Sequence, residues 1–481
     1  MQNRFDTSLF IFRRDLRLLD NRGLAEATRQ SRKVIAVFVF DTNILDDLRQ
    51  RNDRRVTFIH DSVTELREQF RQRDSELVVL HGDPAERIPA LAERVGADAV
   101  FVNRDYEPYA VLRDDGIRSS LAECGRSFHS FKDQVIFEGE EIQTQTGTAY
   151  KVFTPYKRAW LRRFAEMQLV GPSPDAEELY DETALASGSM LATLSDPWTL
   201  KALGFARNES WTGGGAASGR KRLEEFLPHL SSYKEHRDFP SRYGTSGLSV
   251  HLRFGTISIR ECVRAARSDD SQGAQTWLSE LIWREFYQML LDRFPYVVNH
   301  AFKREYDAIE WPGSHEHLEA WKDGRTGYPI VDAAMRELRS TGWMHNRLRM
   351  ITAMFLVKDL LIDWRHGERH FAEYLLDYDL ASNNGGWQWA ASTGADGVPY
   401  FRVFNPELQS RRFDPDGGYI RSQIPELANF SNKLIHRPHA ATALEQEMAG
   451  CTMGRDYPHP VIQHAEQKER AIALLKKLRK G

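Results

Sequence analysis

The sequence predicts two domains: an α/β domain built on a doubly wound parallel sheet, followed by an all-α domain. Three observations carry this expectation. At 481 residues the chain exceeds what one hydrophobic core usually serves. About the first 130 residues alternate short apolar runs with helical spacings, the rhythm of βαβ units. From residue 211 onward helical periodicity dominates, with few strand-like runs. The expected division is 1–135 for the α/β domain, 136–210 for a connector and 211–481 for the helical domain.

In order along the chain, strands are expected at 9–12, 34–40, 77–81, 99–103 and, more weakly, 127–131. Helical spacing falls between them at 54–73, 84–95 and 109–124. In such a sheet ligands bind beyond the carboxyl ends of the strands. No GxGxxG follows the first strand, so a dinucleotide site is not expected there. The segment FRRDLRL at 12–18 fits a solvated loop with a local ion pair, and equally a ligand-lining role. Residues 171–197 are polar, acidic and rich in Gly, Pro and Ser, as a connector along the surface would be. WTGGGAASGRKRLEEFL, from 211, lacks the GK[ST] ending of a phosphate loop and reads as a flexible entry to a helix around 220–227.

Composition narrows the class. With 41% hydrophobic and 28% charged residues and a net charge of -3, the chain reads as a soluble globular protein. No apolar run approaches the roughly 20 residues of a membrane span, and the start MQNRFDTSLFIFRRDLRL is too weakly apolar for a secretory signal, so a cytoplasmic protein is expected. Cys124, Cys262 and Cys451 lack CxxC spacing, which argues against a disulfide framework and a zinc site. His315-Glu316-His317 reads as a polar turn with a structural role, and no metal is expected. Residues 1–200 carry 27 basic against 33 acidic side chains, and residues 201–481 carry 38 against 35. That asymmetry leaves nucleic-acid binding open, because a local patch rather than a total meets phosphates. The basic end, 471–481, reads as a solvated helix whose charges complement its dipole.

The chemistry concentrates later. Between 343 and 394 four tryptophans, Asn-rich turns and paired charges sit in a segment apolar enough to be interior, where each unpaired polar group costs a few kcal/mol. On a helix expected at 276–292, Glu280, Trp283, Arg284 and Tyr287 fall at i, i+3, i+4 and i+7, with Leu281, Phe286 and Leu290 free to supply core contacts. That mixed face fits stacking on a heteroaromatic base; it also fits Trp283 in the core with Arg284 as a surface partner of Glu280. Trp343, Asn346, Arg347 and Met350 repeat the spacing, and NNGG at 383–386 reads as a break in the helical pattern. Eight of the eleven tryptophans lie between Trp277 and Trp389, which packing of single residues does not require. GTSGLS at 244–249 fits either a phosphate at a helix N-terminus or a Ser/Thr N-cap.

The strings ELIWREFY, TGYPIVDAAMRELRSTGWMHNRLRMITAMFLVKDLLIDWR and NNGGWQWAAS resemble the photolyase and cryptochrome family, in particular its class I cyclobutane pyrimidine dimer photolyases. The resemblance is specific over about residues 230–425 and looser from FIFRRDLRLLDN through the N-terminal domain. It implies an α/β domain joined to a helical domain that binds folded-back FAD non-covalently. By position it implies FAD ligands at Tyr233, Thr245, Ser246, Leu248, Ser249 and Trp277, with Asp377 and Asp379 near the ring and ribityl chain and Asn383 facing flavin N5. Arg349 is expected to pair with Asp377. A neutral amide serves a protonated N5 without adding a buried negative charge, whereas plant-type cryptochromes typically place an Asp there.

The same resemblance makes Glu280, Trp283, Asn346 and Met350 the pocket for a flipped-out lesion, and Arg237, Arg284, Arg347 and Gln409 contacts to DNA. Six-four photolyases use a histidine pair where Asn346 and Met350 stand, so the cyclobutane lesion is expected. The implied reaction is light-driven electron transfer from reduced anionic FAD to the dimer and back, without net redox change. Trp387, Trp364 and Trp311 match the family's chain for photoreducing the flavin, and ordinary aromatic packing also fits them. An antenna chromophore is implied near residues 103–109: 8-hydroxy-5-deazaflavin, methenyltetrahydrofolate or a second flavin. Tyr109-Ala110 departs from the Asn-Glu of the folate-binding branch, and Tyr378 stands where relatives often have glycine. A photosensor is the alternative class; Trp283, Met350, Asn383 and the short tail favour repair of UV-damaged DNA, single- or double-stranded, by a monomer.

Overall fold

Runs rich in Val, Ile, Leu and Phe become the strands of one parallel sheet, in a computed structural model that describes residues 4–170, 173–210 and 213–477. The strands are β1 (Phe5–Phe12), β2 (Ser31–Asp41), β3 (Leu77–Gly82), β4 (Ala99–Asn103) and β5 (Ser127–Phe131), in the order β3-β2-β1-β4-β5. All five stand where the sequence places strands. Near-continuous burial of β1, β2 and β4 explains why their sequences are apolar throughout, as a sheet covered on both faces requires. The helices Arg54–Arg71, Pro84–Val95 and Pro108–Glu123 match the expected spacings.

The helix Arg22–Gln30 is not anticipated by the spacing. It buries small residues (Gly23, Ala25, Ala27 and Thr28 beside Leu24) rather than an apolar stripe, and the Asn21 side chain caps it by accepting from Leu24 N. A Cβ at Gly23 would stand 2.7 Å from Asn103 Oδ1 and 2.8 Å from the Phe10 ring, so this close approach to β1 and β4 needs glycine.

Strand order reverses at β1, so the carboxyl ends of β1 and β4 flank the switch point. The segment 12–18 lies there, and it is not a solvated loop: Asp15, Leu16, Arg17 and Leu18 are all buried. Asn103 Nδ2 donates to Asp15 Oδ2 (2.6 Å) and Asn21 Oδ1 (2.7 Å), while Arg17 Nη2 donates to Asp133 Oδ2 (2.7 Å). Burial pushes the Asp15 carboxyl up to about 6. These partners lie tens of residues away, which is why local polarity suggested solvent.

The segment 173–197 lies against the sheet. Ala184, Leu185 and Ala186 are buried, Ala186 N donates to Val34 O (2.8 Å), and Ser195 Oγ accepts from Val79 N (3.1 Å). Residues 171 and 172 of the expected connector, and 211 and 212 at the expected helix entry, lie outside the described residues; the helix itself is Ala216–Phe226.

The chain divides into two compact units, residues 1–231 with 246–293 and residues 232–245 with 294–481. The first holds the sheet and, after it, helices including Phe153–Val170, Ile259–Arg267 and Gln272–Arg293. The second is helical and built on Pro329–Thr341, Asn346–Met354, Trp364–Tyr374 and Leu380–Ala391, with a π-helical turn at Phe355–Asp359. Its core gathers Trp321, Trp364 and Trp387 with Leu338, Leu348, Phe355 and Phe371. The expected class, a doubly wound parallel sheet with a helical partner domain, is the observed one.

Two local expectations are corrected. Asn383–Gly386 does not break a helix: Leu380–Ala391 runs through it. His315-Glu316-His317 is not a turn but the first turn of His315–Lys322, capped by Ser314 Oγ accepting from His317 N (3.2 Å). At the basic end, His464–Lys477 is helical, and residues 478–481 lie outside the described residues.

Candidate cofactor and substrate site

The first unit contributes the helix Gln272–Arg293 and the turn before Ser249–Phe254. Leu281, Phe286 and Leu290 are buried as the spacing requires, whereas Glu280, Trp283, Arg284 and Tyr287 are all half-buried on one face. Trp283 stacks on Phe153 with ring centroids 3.6 Å apart and planes 10° from parallel, and Tyr287 packs beside it at 5.4 Å. A stacked neighbour holds the indole flat. Arg284 Nη1 donates to Gln134 O (2.6 Å). Trp277 is buried edge-on to Phe226, centroids 5.0 Å apart. Leu248, not a serine or threonine, stands at the N-cap of Ser249–Phe254, and no side chain caps it; Ser246 Oγ instead accepts from Leu248 N (3.4 Å). The N-cap alternative for this segment is thereby set aside.

Sequence reasoning missed Glu285, on the buried side of the same helix. Its Oε2 accepts from Ile136 N (2.7 Å), and its Oε1 accepts from Phe137 N (3.1 Å), Trp160 Nε1 (2.6 Å) and Tyr156 OH (3.4 Å). Burial pushes its carboxyl up to about 7 against these donors. Only the i+4 relation to Leu281, a core position, hinted that Glu285 faces inward.

In the second unit, His345 caps Asn346–Met354 by accepting at Nδ1 from Arg347 N (3.1 Å). Trp343 precedes this helix, so it does not share a helical face with Asn346, Arg347 and Met350 as the spacing suggested. Asn346 and Met350 do lie together one turn apart, with Nδ2 4.0 Å from Sδ. Arg347 Nη2 donates to Asp238 Oδ1 (2.8 Å), and its guanidinium lies 4.4 Å over the Phe413 ring. Arg237 lies 5.3 Å over the ring of buried Tyr233. Thr245 and Gln409 are half-buried, Gln409 on the helix Pro406–Phe413.

The expected pair is present: Arg349 Nη2 donates to Asp377 Oδ1 (3.0 Å) and Oδ2 (2.8 Å). Asp379 caps Leu380–Ala391 through Oδ1, which accepts from Ser382 N (2.9 Å). The helix survives its Asn and Gly because its buried amides find distant carbonyls: Asn384 Nδ2 donates to Val297 O (2.9 Å), and Gln388 Nε2 to Val297 O and His300 O (both 3.1 Å). Asn383 Nδ2 donates to Glu368 Oε1 (2.9 Å) and Glu368 O (3.1 Å). Both acceptors fix the amide's orientation, so its Oδ1 is the atom offered to a donor. Burial raises the Glu368 carboxyl. Glu368 was missed because nothing in RHGERH distinguishes it from a surface acid.

Trp364 and Trp387 are fully buried in one apolar cluster against which the half-buried Trp311 packs. Trp387 meets Phe371 (5.0 Å) and Trp321 (6.0 Å) edge-on, and a Cβ at Gly367 would stand 2.0 Å from its ring. Trp321, passed over in the sequence, joins this set. Among the described residues, no three His, Cys, Asp or Glu side chains group as metal ligands would, and no helix is long and apolar enough to cross a membrane.

Known proteins give these residues a context. A family model described as DNA photolyase matches residues 8–177, and one described as the FAD binding domain of DNA photolyase matches residues 277–477. A deoxyribodipyrimidine photo-lyase of Halobacterium salinarum is 42% identical, over 98% of this chain and 99% of that relative. The chain belongs to the DNA photolyase family. A class III photolyase of Agrobacterium tumefaciens superposes with a TM-score of 0.89 at 34% identity, covering 100% of this chain and 99% of that one. A photolyase of Sulfolobus tokodaii, solved with two FAD molecules, gives 0.81 at 33%, covering 98% and 100%. As a DNA photolyase family member the chain carries an FAD-binding domain, whose matched span includes Trp277, Arg349, Asp377, Asp379 and Asn383.

The donor set suits a flavin. Arg349 paired with buried Asp377 offers a fixed charge pair to a polar ring edge, and Asn383 offers a carbonyl oxygen to a ring N–H.

Proposed function

We propose that the protein is a deoxyribodipyrimidine photo-lyase that repairs cyclobutane pyrimidine dimers in single- or double-stranded DNA, acting as a cytoplasmic monomer. The supporting observation is the Asn383 amide, held by Glu368 with its oxygen presented, where a sensor of the plant type would place a carboxylate. When bound, fully reduced FAD excited by blue or near-UV light supplies an electron to the dimer and takes it back, with no net redox change.

The chain's own residues bind and orient. Tyr233, Thr245, Ser246, Leu248, Ser249, Trp277, Asp379 and the Arg349–Asp377 pair hold the cofactor. The Asn383 carbonyl oxygen would accept from flavin N5–H and would add no negative charge beside an anionic ring. Trp283, braced flat by Phe153, stacks on the flipped-out dimer. Glu280 and Asn346 hydrogen-bond its pyrimidine edges, and Met350 packs beside it. Arg237, Arg284, Arg347 and Gln409 contact the DNA around the lesion. Their guanidinium planes are oriented in advance, over Tyr233 for Arg237 and between Asp238 and Phe413 for Arg347. Trp387, Trp364 and Trp311, packed in one apolar cluster, would offer a route for electrons from the surface towards an oxidised flavin.

Residues 103–109 of the α/β domain, residues 1–135, would lie beside an antenna chromophore. Tyr109 OH donates to Asp41 Oδ2 (2.6 Å) where the folate-binding branch offers Asn-Glu, and the candidates are 8-hydroxy-5-deazaflavin, methenyltetrahydrofolate or a second flavin.

Mixing reduced protein with UV-damaged oligothymidine under blue light and in darkness tests the reading. Dimers should disappear only in the illuminated sample. Equal dimer content in both, with flavin photoreduction intact, would move the protein to the sensor class.

A further inference from the structure

Lys358 lies in the π-helical turn Phe355–Asp359 of the second unit and is fully buried. Its Nζ donates to Ser392 Oγ (2.8 Å), Arg402 O (3.1 Å) and Tyr400 O (3.4 Å). An ammonium has three N–H donors, and these acceptors use all of them. The adjoining carboxylate, Asp359, is engaged elsewhere, 2.6 Å from His464 Nδ1. A buried ammonium costs several kcal/mol unless fully bonded. Retaining one here, where an apolar side chain would pack at less cost, asks what its three bonds fix.

They fix two things. Ser392 ends the helix Leu380–Ala391 in the left-handed conformation, φ 68°. Tyr400 and Arg402 belong to the segment 399–402, which has no regular secondary structure of its own and is tied at its far side by Phe404 N to Met354 Sδ (3.2 Å). This segment turns its polar carbonyls inward to Lys358 and leaves Phe401 60% exposed beside exposed Arg402. A large exposed ring next to a guanidinium has the chemistry to grip a nucleic-acid strand, the ring stacking on bases and the cation meeting phosphate. Without the inward bonds, two peptide carbonyls would turn to water and the segment would gain the freedom of an unbraced loop.

We infer that Lys358 is a positioning residue for damaged DNA: it clamps the backbone of 399–402 to the end of the Asn383 helix and so presents Phe401 and Arg402 to the strand. The inference rests on the proposed repair activity and adds to it a residue that acts through the segment it holds.

The test uses the FAD-loaded full chain and UV-damaged oligothymidine in darkness. Lys358→Met should weaken binding at least tenfold, with FAD content and the rate of light-driven flavin reduction unchanged. A Phe401→Ala, Arg402→Gln double variant should weaken binding similarly, and adding Lys358→Met to it should cause no further loss. Binding by Lys358→Met within twofold of wild type, losses that multiply in the triple variant, or loss of FAD along with affinity would each overturn the inference. Should Lys358→Met fail to fold, Ser392→Ala removes one acceptor alone; it should weaken binding about threefold, but not in the Phe401/Arg402 background, and unchanged binding would overturn the inference. A wild-type enzyme with no preference for damaged over undamaged DNA would sink the repair reading itself, whereas a wild type that prefers damage and an indifferent Lys358→Met would sink only the clamp.

Discussion

Arg349 and Asp377, 28 positions apart in the chain, meet through one guanidinium nitrogen that donates to both carboxylate oxygens at 3.0 and 2.8 Å. The carboxylate is buried and the guanidinium about a quarter exposed. Removing the arginine leaves a buried charge without its partner, a cost of about 2 kcal/mol. Arg349→Ala should lose most of its bound FAD, seen as flavin absorbance per protein, and Asp377→Asn in the same chain should restore part of it. Full flavin content in Arg349→Ala would take the pair out of the cofactor site.

The Asn383–Glu368 contact makes a second prediction. Asn383→Asp would set two carboxylates against each other, one of which must stay protonated or repel the other. A negative charge at that position disfavours an anionic reduced ring, so reduced flavin in Asn383→Asp should reoxidise in air about tenfold faster, equivalent to ~1.4 kcal/mol. Stopped-flow absorbance measures it, and an unchanged rate would mean that this side chain does not adjoin the ring.

Acid should destabilise the second unit through two histidines. Burial lowers His345 and His370 from 6.5 to about 4. The fold binds their neutral forms, so their stability is complete above pH 6.5 and is lost as pH falls from 6.5 towards 4, because only the unfolded chain protonates in that window. Each contributes up to ~3 kcal/mol. His370→Gln removes one titration, and its melting temperature should fall less steeply than wild type between pH 6.5 and 5. Parallel curves would refute the assignment.

Glu285 supplies two acceptor oxygens to four donors, and a glutamine supplies only one. Glu285→Gln should therefore turn an N–H towards an N–H and cost about 2–3 kcal/mol in denaturant unfolding, despite near-identical shape. A neutral substitution would show that the carboxyl is already protonated and donating.

For the tryptophans, Trp311→Phe should leave FAD content unchanged and slow light-driven flavin reduction at least tenfold. Reduction at the wild-type rate would return Trp311 to ordinary packing, and a slowed rate in Trp321→Phe would extend the relay to its edge contact with Trp387.

By itself the sequence determined the sheet and the family. Strands such as Ala99–Asn103 and Ser127–Phe131 and the helix Pro84–Val95 follow from short-range alternation and from Pro and Asp at a helix start, and these act within a few residues. The Trp-, Asn- and Arg-bearing strings around Trp283, Asn346 and Asn383 named the family outright. Tertiary structure alone decided where polar side chains go. Asn383–Gly386 continues a helix because Val297 and His300 receive the amides; Asp15 and Arg17 are interior because Asn103 and Asp133 meet them; Glu368 and Lys358 have partners 15 and 34 or more positions away. Local propensity is worth at most about 1 kcal/mol per residue for anything but proline, and a buried hydrogen bond or charge left unmade costs more than that. Where the two conflict, the distant partner wins, and its position is written in the fold.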